Sequence, residues 1–176
     1  YNADFDGDET VGIMLQSIGA QTEGRFLSNA ESNYMSTHAN RNIMGLVFNC
    51  IAAVYMLSKF ICEIDKYDFA EAIKNCLIND EETANRLATF YKRCKKYGKS
   101  ASSSQALFSL VFPPTFCYYR KVDDEFDING NKIKVDPVQI KEGILISGVL
   151  TKADVGPVGN SIIYFMHKEF NPNIVS

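Results

Sequence analysis

Three carboxylates stand at alternate positions near the start of the chain, in Asn2-Ala3-Asp4-Phe5-Asp6-Gly7-Asp8. In an extended strand this i, i+2, i+4 spacing sets Asp4, Asp6 and Asp8 on one face, and in a tight loop it lets them converge on one point. Three ionised carboxylates at close range oppose one another, so the arrangement is costly without a cation to neutralise it. Donor sets made only of oxygen select Mg²⁺, Mn²⁺ or Ca²⁺ over zinc or copper. Gly7 permits a sharp bend between the last two carboxylates, and Phe5 is expected to anchor the loop from the opposite face. A calcium loop of the EF-hand type opens in the same way, but it requires Gly at its sixth position and Glu at its twelfth. Counted from Asp4 those positions hold Glu9 and Leu15, so the EF-hand is excluded. The segment Asp127-Ile128-Asn129-Gly130-Asn131 fails the same test, with Val138 at its twelfth position.

Other chemistries find little support. There is no P-loop pattern and no G-x-G-x-x-G, and the serines lie in polar linkers without a base nearby. Cys50, Cys62, Cys76, Cys94 and Cys117 match no zinc spacing and are expected to be reduced thiols packed as small hydrophobes. His38 and His167 stand alone and are expected to be structural or solvent-facing. Apolar residues make up 46% of the 176, enough to build a core and to exclude wholesale disorder. The net charge of −3 lacks the basic surplus of a free-standing nucleic-acid binder, so contact with nucleic acid would need a local site or a larger assembly. The chain opens on Tyr1 and closes on Asn171-Pro172-Asn173-Ile174-Val175-Ser176 without a capped helix. It is therefore expected to be a piece of a longer polypeptide.

Periodicity indicates the framework around the acidic loop. Residues 1–16 are expected to be an exposed loop that turns, at Val11, Ile13, Met14 and Leu15, into a strand or extended run entering a core. Ser17 is a helix cap for residues up to about Asn29, with Gly19 and Gly24 weakening that helix by about 1 kcal/mol each. Residues 31–42 are polar and read as a loop. Residues 43–61 are the most apolar stretch; a membrane span needs about 20 apolar residues, so a buried helix is the better assignment. Helical spacing recurs over 65–80, and Asp80 caps a second helix whose stripe is Leu87, Phe90, Tyr91 and Cys94. Its basic end, Arg93, Lys95 and Lys96, reads as a solvated helix terminus. Beyond a small polar linker at 98–104, a short helix over 106–112 is stopped by Pro113-Pro114. Residues 116–122 and 143–149 read as strands, Asn129-Gly130 as a hairpin turn, and a closing helix falls within 158–170.

Tyr1-Asn2-Ala3-Asp4-Phe5-Asp6-Gly7-Asp8 resembles the signature of the largest subunit of multisubunit DNA-directed RNA polymerases. Gln16-Ser17 is similar to the family's Gln-Ser just past its metal loop. Asn40-Arg41-Asn42-Ile43-Met44-Gly45-Leu46-Val47 is similar to its Asn-Lys-Pro-x-Met-Gly-x-Val segment. Residues 143–152, with Val155-Gly156-Pro157 and Ser161-Ile162-Ile163, resemble the strand-and-helix section of its pore region. Residues 62–100 show no specific match. The later motifs, with Ala106-Leu107-Phe108-Ser109 and Pro113-Pro114-Thr115-Phe116, look closest to the poxvirus-type enzymes of large cytoplasmic DNA viruses. Thr10-Val11-Gly12-Ile13-Met14-Leu15 departs from the family's Met-Asn-x-His-x-Pro, and Arg41-Asn42 replaces its Lys-Pro.

The resemblance implies an α+β fold: the terminal loop and strand of a double-psi β-barrel over 1–35, then a pore-like domain over 36–176. That second part would be helical over 43–97 and β-rich over 105–155. It also implies that Asp4, Asp6 and Asp8 hold Mg²⁺, one of two ions used in nucleotidyl transfer from NTPs to the RNA 3′ end. Asn2 would hydrogen-bond the ribose of the incoming nucleotide. The implied partners are the other polymerase subunits, the second-largest above all, with DNA template, RNA transcript and NTPs, and no membrane. The implied compartment is intracellular: virion and host cytoplasm if the source is viral, the nucleus otherwise. Lys92, Arg93, Lys95, Lys96 and Lys99 are candidates for the rim of the pore. The alternative, left open by the residues alone, is a non-catalytic interaction domain that binds a divalent cation.

Overall fold

A computed structural model describes residues 5–30, 33–76, 83–123, 125–126 and 132–170. Residues 8–16 form no regular element, and α1 (Ile18–Phe26) comes next with Ser17 as its cap: the Ser17 hydroxyl accepts from Ala20 N at 3.1 Å. Among the described residues, the expected entry of residues 11–15 into a core is not made. Val11 is 88% exposed, Ile13 80% and Met14 85%, because no described element of the chain covers them, and α1 buries none of its own residues.

The polar stretch before residue 43 is more than a loop. Met35–Ser36 (β1) and Arg41–Asn42 (β2) pair antiparallel, with Met35 opposite Asn42. The single helix expected over 43–61 is also shorter: α2 is Asn49–Lys59. Residues 43–48 stay irregular because they are tied to a distant segment, Leu46 N donating to Val155 O at 2.9 Å. Nor is α2 buried all round; Val54 and Ser58 are its buried residues, and Met56 remains exposed.

Next come α3 (Lys66–Cys76) and α4 (Thr83–Lys96), in keeping with the helical spacing. The expected cap Asp80, with Glu81 and Glu82, lies outside the described residues. Phe90 and Cys94 of the expected stripe are buried, whereas Tyr91 is exposed. A short helix, α5 (Ser104–Ser109), begins two residues earlier than expected because the Ser103 hydroxyl caps it at Ala106 N. It ends ahead of Pro113-Pro114.

The β lobe is a three-stranded antiparallel sheet in the order β3-β6-β7, formed by Tyr118–Arg120 (β3), Val138–Lys141 (β6) and Ile144–Ser147 (β7). Glu125–Phe126 (β4) and Lys132–Ile133 (β5) pair as a separate hairpin; its connecting residues, including Asn129-Gly130, lie outside the described residues. Strand β6, not assigned from the sequence, alternates strictly over its four residues: Val138 and Ile140 are buried, while Gln139 and Lys141 are not. Between β6 and β7 the turn residues Glu142 and Gly143 both have positive φ, 48° and 69°, as a two-residue hairpin turn demands. The chain finishes with α6 (Lys152–Val155) and α7 (Ile162–Glu169), the latter capped by the Ser161 hydroxyl.

Two buried clusters meet at β7. Leu145 joins Phe112, Phe116, Val138, Ile140, Leu150 and Ile162, while Ile144 joins Phe69, Phe90, Cys94, Ala106 and Leu110. Successive side chains of a strand point to opposite faces. A strand covered on both faces therefore reads as a continuous apolar run, which is what Ile144-Leu145-Ile146 is. The described residues are thus mixed α and β with small sheets, and they include no closed barrel. Among them no helix is long and apolar enough to cross a membrane.

Candidate functional site

The acidic loop is described from Phe5 onward; Asn2 and Asp4 lie outside the described residues. Residues 5–7 form a turn, and Gly7 takes φ 120°, a conformation strained for any other residue. Asp6 and Asp8 flank that glycine and are both exposed. Phe5 does not anchor the loop by burial, being fully exposed at 101%. Among the described residues no three His, Cys, Asp or Glu side chains gather at one point. The donors that are described, two accessible carboxylates across a glycine bend, are oxygen ligands of the kind a hard divalent cation takes.

Gln21 Nε2 donates to Leu15 O at 3.1 Å, and a Cβ on Gly24 would come within 2.5 Å of Leu15 Cδ1. These contacts fold residues 15–24 onto each other. Of the Gln16-Ser17 pair, Ser17 acts as the helix cap.

Two buried polar joints, neither singled out from sequence, organise the rest. The first unites motifs more than a hundred residues apart. Fully buried Asn42 donates to Met44 O at 2.6 Å and Gly156 O at 3.3 Å, and its Oδ1 accepts from the Ser161 hydroxyl at 3.2 Å. Gly45 lies against the same segment; a Cβ there would sit 2.4 Å from Pro157 N. The segment 40–47 and the segment 155–163 are therefore one structural unit, and no side chain larger than glycine fits at their contact.

The second joint is ionic. Asp154, fully buried, accepts from Arg120 Nε at 2.6 Å and Arg120 Nη2 at 2.7 Å, and from the Tyr118 hydroxyl at 3.2 Å. Its Oδ2 also accepts from Thr151 N at 2.8 Å, which completes a capping box on α6. Hydrogen bonding to Asp154 raises the Arg120 pKa further, and burial, with the Asp154 charge second, pushes the Tyr118 phenol well up. The Thr151-Lys152-Ala153-Asp154 pattern is the one sequence signal that announces this site.

The candidate basic rim is divided. Arg93 is half-buried and donates to the Glu142 carbonyl, and Lys96 Nζ meets Glu142 Oε1 at 2.5 Å, so this helix end touches the β6–β7 turn while the Lys96 side chain stays 57% exposed. Lys92 and Lys95 are exposed. Lys99 reaches Gln105 Oε1 at 3.2 Å, away from the Glu142 contact. Of the described cysteines, only Cys94 behaves as a buried hydrophobe; Cys50, Cys62 and Cys117 are exposed. His38 is exposed, and His167 stacks on Tyr34 with ring centroids 5.2 Å apart.

Residues 33–176 match the family described as RNA polymerase Rpb1, domain 3. The chain belongs to that family. The match takes in both halves of the Asn42 joint and the whole β lobe of this Rpb1 domain 3 chain, and it begins beyond the acidic loop. Similarity to individual proteins extends further: the chain is 24% identical over 186 residues to "DNA-directed RNA polymerase I subunit RPA190" of Saccharomyces cerevisiae, covering 100% of this chain and 11% of that protein. It is 26% identical to the "Probable DNA-directed RNA polymerase II subunit RPB1 homolog" of Invertebrate iridescent virus 6, over 97% of this chain and 16% of the relative. A third relative, "DNA-directed RNA polymerase subunit Rpo1N" of Methanocaldococcus jannaschii, is 27% identical over 98% of this chain and 12% of its own length. The chain thus spans between 11% and 16% of the length of these relatives.

Proposed function

We propose that this chain is the part of a DNA-directed RNA polymerase largest subunit that carries the metal-binding carboxylates and leads into the pore. Residues 1–35 would close the catalytic domain, as the last loop and strand of a double-psi β-barrel, and 36–176 would form the pore-like domain. The observation that carries this reading is the pairing of the Asp4, Asp6, Asp8 loop with a family match that starts a short way downstream. The exposed apolar run Val11, Ile13, Met14 and Leu15 supports this reading, since in an assembled subunit neighbouring strands would cover it.

In this reading Asp4, Asp6 and Asp8 bind Mg²⁺ through their carboxylates, and Gly7 supplies the bend that lets the last two face one point. When bound, the ion supplies Lewis acidity toward the RNA 3′-hydroxyl and charge neutralisation at the phosphates, as one of the two ions of nucleotidyl transfer. Asn2 donates a hydrogen bond to the ribose of the incoming NTP, which favours ribonucleotides. The partners are the remaining polymerase subunits, the second-largest foremost, with DNA template and RNA transcript. A source among the large cytoplasmic DNA viruses, and hence virion and host cytoplasm as the setting, belongs to the same proposal and is supported by the viral relative.

The test is Asp6→Ala in the assembled enzyme. The expected result is loss of nucleotide addition with subunit assembly intact; near-normal elongation would refute the assignment of the acidic loop.

A further inference from the structure

We propose that the solvent face of strands β3 and β6 binds a single-stranded polynucleotide, with one base stacked on Tyr119 and the flanking phosphates held by Lys121 and Lys141. A groove of about 430 Å³ lies over this face, and its walls include Tyr97, Tyr119, Gln139, Lys141 and Glu142. Alternation decides which side chains reach it: Tyr118, Val138 and Ile140 are buried in the core, whereas Tyr119, Gln139 and Lys141 point the other way. The ladder fixes their spacing. Tyr119 stands directly opposite Gln139, which sets the two Cβ atoms about 4.5–5.5 Å apart. Lys141, two residues along β6 on the same face, is diagonal to Tyr119 at about 7–8 Å. Lys121, two residues past Tyr119, is exposed as well.

These groups are free to bind. Tyr119 is 62% exposed. Among the described residues neither Lys121 nor Lys141 enters an ion pair, and the groove's carboxylate, Glu142, is taken by Lys96. The Gln139 amide makes no hydrogen bond among the described residues, which leaves a donor and an acceptor for a base edge. The strand that carries the ring is fixed from below. Both neighbours of Tyr119 are tied to buried Asp154, Tyr118 through its hydroxyl at 3.2 Å and Arg120 through Nε at 2.6 Å. An immobile aromatic ring flanked by unpaired cations is the composition of a stacking platform for single strands. A polynucleotide supplies both partners in alternation, a π face and an anion in every nucleotide. The presence of RNA at this face rests on the polymerase reading above; the binding surface itself uses no residue of the acidic loop and no metal.

The experiment is photocrosslinking of a short thiouridine-containing RNA to the complete protein in metal-free buffer, with the crosslinked peptides mapped by mass spectrometry. Saturable crosslinking to β3 and β6 is expected. Tyr119→Ala should raise the RNA concentration for half-maximal crosslinking at these strands about tenfold, the loss of one stacked base, and Tyr119→Phe should retain the parent value. Lys141→Gln should reduce the slope of log affinity against log salt by about 0.7, as one lost phosphate contact on a single strand does. Tyr67→Ala, at an exposed ring of α3 outside the groove, should change nothing. A DNA strand that competes equally identifies base and phosphate as the groups recognised; weaker competition adds the ribose hydroxyl. The proposal is overturned if crosslinks avoid β3 and β6, if Tyr119→Ala binds as well as the parent, or if Tyr67→Ala weakens binding as much. Asp6→Ala should leave the crosslink in place, so failure at this face and failure of the acidic-loop assignment are read separately.

Discussion

Residues 5–27 and residues 104–170 make opposite use of apolar side chains. The first region leaves Val11, Ile13, Met14, Ile18, Phe26 and Leu27 in solvent, while the second encloses Phe112, Phe116, Ile140, Ile144, Leu145 and Leu150 almost completely. The difference is supply of packing neighbours, not residue type. Strand β7 has a sheet neighbour at its edge and a helix-bearing cluster on each face, so Ile144 and Leu145 are both buried. Among the described residues, Val11–Leu15 has no strand paired with it and no cluster built over it. Polar groups divide in the same way: Asp154 in the lobe and Asn42, which bonds onto the lobe at Gly156 and Ser161, are buried and hydrogen-bonded, and in the first region Asp6 and Asp8 stay at the surface.

The largest blow to that contrast would come from removing the buried charge. Asp154→Ala strands the Arg120 guanidinium and opens the α6 capping box. It should destabilise the lobe by about 3 kcal/mol, the lower part of the range for breaking a buried pair, because Arg120 keeps 26% of its side chain in solvent. The midpoint of urea unfolding monitored by circular dichroism reads this directly. A loss below half that size would mean that the lobe does not depend on its ion pair.

A smaller effect tests the buried thiol. Burial pushes Cys94 from an ordinary 9.0 up to about 11. The folded state therefore disfavours the thiolate, so stability is fully present below pH 9.0 and declines as pH rises toward about 11. Cys94→Ala should flatten this alkaline decline in Tm. In the folded protein Cys50, Cys62 and Cys117 should react with iodoacetamide long before Cys94 does, as mass spectrometry of partly labelled chains would show.

The smallest effect belongs to the other side of the comparison. Val11→Ser with Ile13→Ser should change the stability of this chain by no more than about 0.5 kcal/mol, as expected for exposed positions. In an assembled polymerase the same pair should be strongly disruptive if these residues are a barrel strand. Equal, large losses in both settings would show that the segment is braced within the chain after all.

Much of this architecture is legible along the chain. Ser17 announces a helix start by the chemistry of a hydroxyl accepting an orphan N–H, Ser161 opens the closing helix in the same way, and the paired prolines at 113–114 announce a stop, whereas the cap at Ser103 is hidden in a run of serines. The acidic triplet is legible as a pattern, and the cation it would bind is part of the proposal above. Less legible are β6, whose alternating pattern is only four residues long, and the role of Arg93 and Lys96, whose partner Glu142 lies far along the chain. The apolar run at 43–61 misleads for a related reason: apolar character says that a residue could be buried, and only a facing element determines whether it is.

Local chemistry, then, is written in the order of residues: hydroxyls placed for caps, glycines where φ turns positive, prolines where a helix stops. Folding in three dimensions settled which charges became internal fasteners and how Asn42 came to bridge Met44, Gly156 and Ser161. The physical reason is range. Capping and turn energies act over a few residues and are encoded in neighbours, whereas burial and charge pairing depend on segments that meet only once the chain has folded.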